Sequence, residues 1–377
     1  MSVFNEIVGQ SKAIDTLTKA LHSPTHAWLF TGPPGSGRSN IAKAFAASLI
    51  CPNQGCGICT DCQTALLGSH PDVEIFATEG VTIKVDEIRE LVSRSTWGAT
   101  IAPWRITIIE DSDRMTESAA NALLKAIEEP ASRSIWLLCA PTSDDVLPTI
   151  RSRCRLITLT TPTTDQVSNY LQNQEQINKS IADLAATIAQ GHVGRARHYA
   201  KDNESLALRK KIINLFLSIT NESLSISVAS QLQDIAINRA EMRNQERSDQ
   251  EEELLRATMQ GPNRSFLSGG SKALKELEKS QKSRITRSTR DELDTYFLWL
   301  QAVIRDALLE NANQSESFIN PDLTQEIQTL ASKISSRQLE ILTRKVNQYR
   351  AILDSNAAQL LTLESFCLEF LGAIDGH

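Results

Sequence analysis

No apolar run in the chain reaches the ~18 residues of a membrane-spanning helix. The opening segment, MSVFNEIVGQ, lacks both the basic start and the apolar core of a secretory signal, so a cytoplasmic protein with no membrane partner is expected. A basic balance is also missing. Net charge is −6 and the pI about 5.7. A chain that grips nucleic acid unaided is usually basic, so any such contact here has to be local or shared with partners. No internal repeat is evident.

The 377 residues suffice for two or three domains, and 41% hydrophobic with 22% charged residues is ordinary for a globular chain. Up to about residue 160, short apolar runs alternate with helical patterns. AWLFTG (27–32), DVEIFAT (72–78), RITIIED (105–111), SIWLLCAP (134–141) and RLITLTTP (155–162) read as strands. NIAKAFAASLI (40–50), VDEIRELVSRST (85–96) and TESAANALLKAIEE (116–129) read as helices between them. That alternation predicts a parallel sheet covered on both faces. The predicted division is an α/β domain over 1–162, a small helical domain over 163–205, and an all-helical region over 206–377. Within the last, residues 240–290 are strongly charged around the loop-like GPNRSFLSGGS (261–271). The ordinary expectation is a solvated helical hairpin, although Lys272, Lys275, Lys279, Lys282, Arg284, Arg287 and Arg290 could face nucleic acid.

Four features carry chemistry. GPPGSGRS, residues Gly32, Pro33, Pro34, Gly35, Ser36, Gly37, Arg38 and Ser39, fits the P-loop pattern except that arginine stands where lysine belongs. The glycines let backbone N–H groups turn toward an anion, the following helix start adds partial positive charge, and Ser39 occupies the Mg²⁺-ligand position. Arg38 keeps the charge but is a wide planar fork, so ATP binding can survive better than fast hydrolysis. RITIIED ends in Glu110 and Asp111, reversing the usual order of a Mg²⁺-supporting Asp and a water-orienting Glu. A carboxylate misplaced by on the order of 1 Å can cost a hundredfold in rate. Finally, Cys51, Cys56, Cys59 and Cys62 are spaced x4, x2, x2, which fits a closed tetrahedral Zn²⁺ site of structural type. TIRSRCR (149–155) is a basic turn before a strand, where an arginine can reach a neighbouring subunit's γ-phosphate.

Taken together, these stretches resemble the bacterial clamp-loader subunits of the DNA polymerase III holoenzyme, the delta-prime branch most closely. FNEIVGQ (4–10), the P-loop, the four-cysteine knuckle with SHPDV (69–73), NALLKAIEEP (121–130) and LPTIRSRC (147–154) carry the resemblance. It covers the first 160 residues specifically and the rest more loosely. The resemblance implies an AAA+ fold with a lid and a helical collar. It implies a hetero-pentameric ring with gamma/tau and delta subunits, and a role in opening the sliding clamp and placing it on primed-template DNA. Arg153 would be the trans arginine finger on the adjacent motor subunit's ATP. Where motor subunits carry two polar sensors, this chain has Ala140–Pro141 and Gly194, with Arg195 one place on. Those departures favour a component of the polymerase holoenzyme whose own ATPase is weak or absent. No paired metal-binding carboxylates suggest a polymerase site. The alternatives are an ATP-hydrolysing gamma/tau-like motor, and an independent AAA+ nucleic-acid remodelling ATPase that uses the basic stretch 272–290.

Overall fold

The computed structural model describes residues 2–78, 80, 82–259, 270–314, 318–355 and 357–375. The chain forms two compact units, residues 1–201 and 202–377.

In the first unit, β1 (Ala27–Thr31), β2 (Val73–Phe76), β3 (Arg105–Ile109), β4 (Ser134–Ala140) and β5 (Arg155–Thr158) form one sheet in the order β2-β3-β4-β1-β5. Every pairing in it is parallel. All residues of β1 and β4 are buried, as near-continuous apolar runs require in a sheet covered on both sides. Side chains alternate between two cores. Trp28 and Phe30 join Ile106, Ile108 and Phe45 on one face. Leu29 joins Trp136, Leu138 and Leu123 on the other.

The covering helices are α1 (Ser11–Ala20), α2 (Arg38–Ile50), α3 (Thr60–Leu67), α4 (Val85–Ser95), α5 (Glu117–Glu128) and the short α6 (Pro148–Arg151). Local chemistry sets their ends. Thr116 caps α5 by accepting a hydrogen bond from the Ala119 N–H, and the helix stops two residues before Pro130. The SHPDV segment proves structural. Asp72 accepts hydrogen bonds from the Thr100, Ile101 and Ala102 N–H groups at 2.6–2.8 Å, pinning the loop before β3. Burial alone would raise the Asp72 carboxyl, but these donors hold it below its ordinary range. Helices α7 (Thr164–Glu175), α8 (Lys179–Ala189) and α9 (Val193–Lys201) complete this unit.

The described residues of the second unit are helical: α10 (Asn203–Leu217), α11 (Glu222–Met259), α12 (Gly270–Asn311), α13 (Thr324–Lys333), α14 (Ser336–Asp354) and α15 (Gln359–Asp375), with a 3₁₀ turn at Pro321–Leu323. Phe216, Phe297, Tyr349 and Phe370 surround Phe366, with Phe297 edge-on at 4.8 Å. Fully buried Arg209 is matched by Asp322 at 2.9 Å and by Asn320. Asp306 accepts from the Ile319 and Asn320 N–H groups nearby. The charged stretch makes the far part of the α11–α12 pair, while most of GPNRSFLSGGS lies outside the described residues.

Candidate nucleotide and metal sites

The P-loop leaves the end of β1 and turns into α2. Gly35 (φ +85°) and Gly37 (φ +88°) are left-handed, and Gly37 sits at the N-cap of α2. The Gly32 N–H donates to the Pro141 carbonyl at 3.0 Å. From the N-terminal box, Gln10 Nε2 donates to the Ser36 carbonyl at 3.2 Å and to the Thr160 carbonyl at 2.7 Å, strapping the loop to the segment after β5. The loop thus has the left-handed glycines and the anchoring of a P-loop turn.

Its cation is committed elsewhere. Arg38 Nη1 folds back to donate to the Gly32 carbonyl at 2.9 Å, the first residue of its own loop. His192 presses on the loop so closely that a Cβ on Gly35 would lie 2.4 Å from its Cγ. Burial first, and Arg195 second, lower the His192 pKa to about 4, leaving the imidazole neutral near pH 7. The remaining hollow, lined by Gly35–Asn40, Glu6–Val8 and His192–Gly194, holds about 230 Å³. A second hollow of about 400 Å³ adjoins it, sharing Glu6, Ile7, Asn40, Val193 and Gly194. Ser39 stands in the first turn of α2, at the hollow's edge.

Glu110 and Asp111 lie just beyond the end of β3, with β4 between them and β1. The Glu110 N–H still donates to the Phe76 carbonyl at 2.9 Å. Its carboxylate pairs with Lys43 Nζ at 3.1 Å, a cation supplied by α2. Asp111 turns into the left-handed region (φ +52°), which ends the strand. Asp113, half-buried beside it, is raised first by burial and then by the Asp111 charge, with Arg114 and Arg38 opposing. Sequence reading missed Lys43, Asp113 and His192. Asp113 was in reach as the third carboxylate of EDSD. Lys43 and His192 gain meaning only from packing.

The two sensor positions are apolar or occupied. Ala140 is fully buried at the end of β4, and Thr142 is bound to Asp145 Oδ2 through its N–H and hydroxyl at 2.9 and 2.8 Å. Gly194 lines the hollow without a side chain.

The four cysteines converge at the other end of α2, about 20 Å from the loop at 1.5 Å per residue. Their sulfurs all lie within 4.8 Å of one another, with Cys51 Sγ 3.8 Å from Cys56 Sγ and 3.6 Å from Cys59 Sγ. A tetrahedron with Zn–S bonds of about 2.3 Å has edges of about 3.8 Å, so the set fits that ion, and four ligands leave no open position for catalysis. Burial would raise the Cys51 thiol, but the Cys56, Gly55 and Asn53 N–H groups bring it down to about 6, whereas burial pushes Cys62 up. The Val3 N–H donates to the Gly55 carbonyl at 3.0 Å, tying the N-terminal segment to this module.

Arg153 stands in a separate turn. It follows α6 in the turn before β5, about 40% exposed. Its guanidinium pairs with Glu128 Oε1 of α5 at 2.6 Å and donates to the Thr149 carbonyl at 2.9 Å.

The sheet, the loop and the appended helices define a class: an α/β P-loop domain bearing a four-cysteine module, followed by an all-helical region. Residues 9–163 match the family profile described as DNA polymerase III, delta subunit, and residues 273–370 match that of its C-terminal region. The chain belongs to the DNA polymerase III delta-prime family, to which gamma/tau is related. It is similar to DNA polymerase III subunit delta' of Pseudomonas aeruginosa, 37% identical over 34% of this chain and 41% of that protein. The Escherichia coli subunit delta' is 30% identical over 45% of this chain and 53% of its own length. Subunit gamma/tau of Mycobacterium tuberculosis is 34% identical over 40% of this chain and 27% of its own. The alignments thus span about half or less of each of these relatives. Among solved structures, a DNA polymerase III gamma subunit-related protein of Thermotoga maritima has a TM-score of 0.44 at 16% identity, covering 96% of this chain and 99% of that one.

Proposed function

We propose that this chain is a cytoplasmic clamp-loader subunit of delta-prime type. It joins gamma/tau and delta subunits in a hetero-pentameric ring that opens the sliding clamp and sets it on primed-template DNA. Its P-loop domain serves as a rigid arm, with Zn²⁺ on Cys51, Cys56, Cys59 and Cys62 as a structural ion. It works on a neighbour's ATP through Arg153 rather than on its own.

One contrast carries this reading. Among the groups at the chain's own loop, Arg38 is bonded to the Gly32 carbonyl and Lys43 to Glu110, whereas Arg153 is held at the surface by an exposed pair. Exposed ion pairs contribute roughly 0.2–1 kcal/mol, so a γ-phosphate could draw Arg153 away from Glu128 at little cost. A charge held so loosely suits a finger that must change partners. The motor alternative needs a free P-loop cation and a free carboxylate at the Mg²⁺-supporting position, yet Arg38 is bonded to the Gly32 carbonyl and Glu110, which stands there, to Lys43.

The test is ATP turnover of the reconstituted ring with Arg153→Ala. A finger is worth on the order of 10³-fold or more at the site it serves, so that one site should fall silent while the ring still assembles by gel filtration. An unchanged rate removes the finger role. Turnover by the isolated chain, abolished by Gly37→Val, would instead favour the motor reading.

A further inference from the structure

The charged far part of α12 has a face that the proposed clamp-loader role leaves unused. Lys272, Lys275, Lys279 and Lys282 recur at i, i+3, i+7 and i+10, so at 3.6 residues per turn they fall within about 80° of the helix circumference. All four are exposed, Lys272 at 83%. Ser283 and Thr286 continue the same stripe and are exposed as well. The opposite side of α12 is the one joined to α11. There Arg284 holds Glu251 Oε2 at 2.7 Å and Gln281 donates to the Ser248 carbonyl at 3.1 Å. Half-buried Leu274, Leu277 and Ile285 also lie on that side. The stripe therefore points away from α11, and among the described residues another helix reaches it only at its far end, where Gln359 of α15 donates to the Thr286 carbonyl at 3.2 Å.

Packing does not use these lysines. Lys272 is 3.9 Å from Glu276, an i,i+4 contact with 83% and 70% of the two side chains exposed. Among the described residues, Lys275, Lys279 and Lys282 have no acidic partner. Glu276 and Glu278 border the stripe without interrupting it. In a chain of net charge −6, four cations in one row are a local reversal of sign.

We propose that this stripe is a docking surface for the phosphate backbone of double-stranded nucleic acid, recognised by charge and not by sequence. From Lys272 to Lys282 the helix rises about 15 Å, a length over which a duplex presents on the order of nine phosphate charges. Lysines are flexible point charges that follow a backbone, with none of the planar fork that reads base edges. No aromatic residue lies on the stripe, so it offers no stacking platform for single-stranded bases. No apolar residue lies on it to enter a lipid surface, and no large anchor of the kind that dominates protein interfaces. The surface belongs to the chain itself and does not depend on Arg153.

The test uses the full chain and a short fluorescent DNA duplex, titrated by anisotropy over a series of salt concentrations. Binding should be weak and non-specific, with a slope of log K against log[salt] near −3.6, from ~0.9 per neutralised phosphate. Replacing Lys272, Lys275, Lys279 and Lys282 together by Gln should lower affinity at least about tenfold and bring the slope toward zero. Replacing them by Arg should preserve both. A second variant makes the same change of net charge at exposed Lys12, Lys19, Lys179 and Lys333, and should bind as the parent does. If that variant loses as much as the stripe variant, or if the parent shows no salt dependence, the assignment fails. It also fails if phosphatidylserine vesicles displace the duplex at equal charge.

Discussion

Replacing Arg38 by Lys should tighten nucleotide binding without restoring hydrolysis. The arginine donates to the Gly32 carbonyl at 2.9 Å, so the cation that a triphosphate would recruit is held by the loop itself. A hydrogen bond from a charged donor contributes roughly 1.5–3 kcal/mol, and a half-buried one belongs at the low end. Giving up that bond before gripping a phosphate therefore weakens affinity about tenfold, at 1.4 kcal/mol per decade. Lysine has no fork with which to keep the contact while reaching forward. Titration of the isolated chain with a fluorescent ATP analogue should show Kd falling about tenfold from wild type to Arg38→Lys, and rising in Arg38→Ala. Turnover should stay at background in all three, because Lys43 still neutralises Glu110 and Asp111 still leaves β3 in a left-handed turn. An unchanged or weaker Kd in Arg38→Lys would refute the idea that the backward bond limits the site. Restored turnover would refute the view that the carboxylates are also misassigned to other work.

Two further outcomes are expected. Elemental analysis should find one zinc ion per chain, and Cys59→Ser should lower that content and the melting temperature together. Finding no metal in the native protein would overturn the assignment. His192 binds its proton in the unfolded chain near the ordinary value of 6.5 but in the folded chain only near 4. Between those values the unfolded state holds more protons, so stability falls as pH drops from about 6.5 to 4, and His192→Gln should flatten that part of the curve. Urea denaturation across this range measures it, and parallel curves for the two proteins would show that His192 is not the group responsible.

The sequence made the sheet readable because β1 and β4 are buried on both faces and so appear as unbroken apolar runs. Strand ends were less legible. RITIIED read as a strand through Asp111, yet β3 stops at Ile109, since Asp111 takes a positive φ that no local pattern announces. The helical region was expected from 206, whereas Asp202 caps α10 by accepting from the Glu204 N–H at 2.9 Å. An aspartate before an apolar-periodic stretch is a cap signal that the charged surroundings of KDNES obscured. The cysteine spacing foretold a cluster because its ligands lie within twelve residues of one another. The state of the P-loop was not legible. Lys43 meets Glu110 and His192 meets Gly35 only after residues far apart in sequence are brought together, and periodicity carries no trace of such meetings.

Helix α2 begins in the phosphate cradle and ends in the cysteine module, while the N-terminal segment touches both, through Gln10 at Ser36 and Val3 at Gly55. The two run side by side like the struts of a closed frame, with the loop at one corner and the thiolates at the other. In such a frame neither corner can shift without loading the opposite one. Oxidation of a cysteine, chemically distant from any nucleotide, would then register as altered geometry at Gly35 and Gly37.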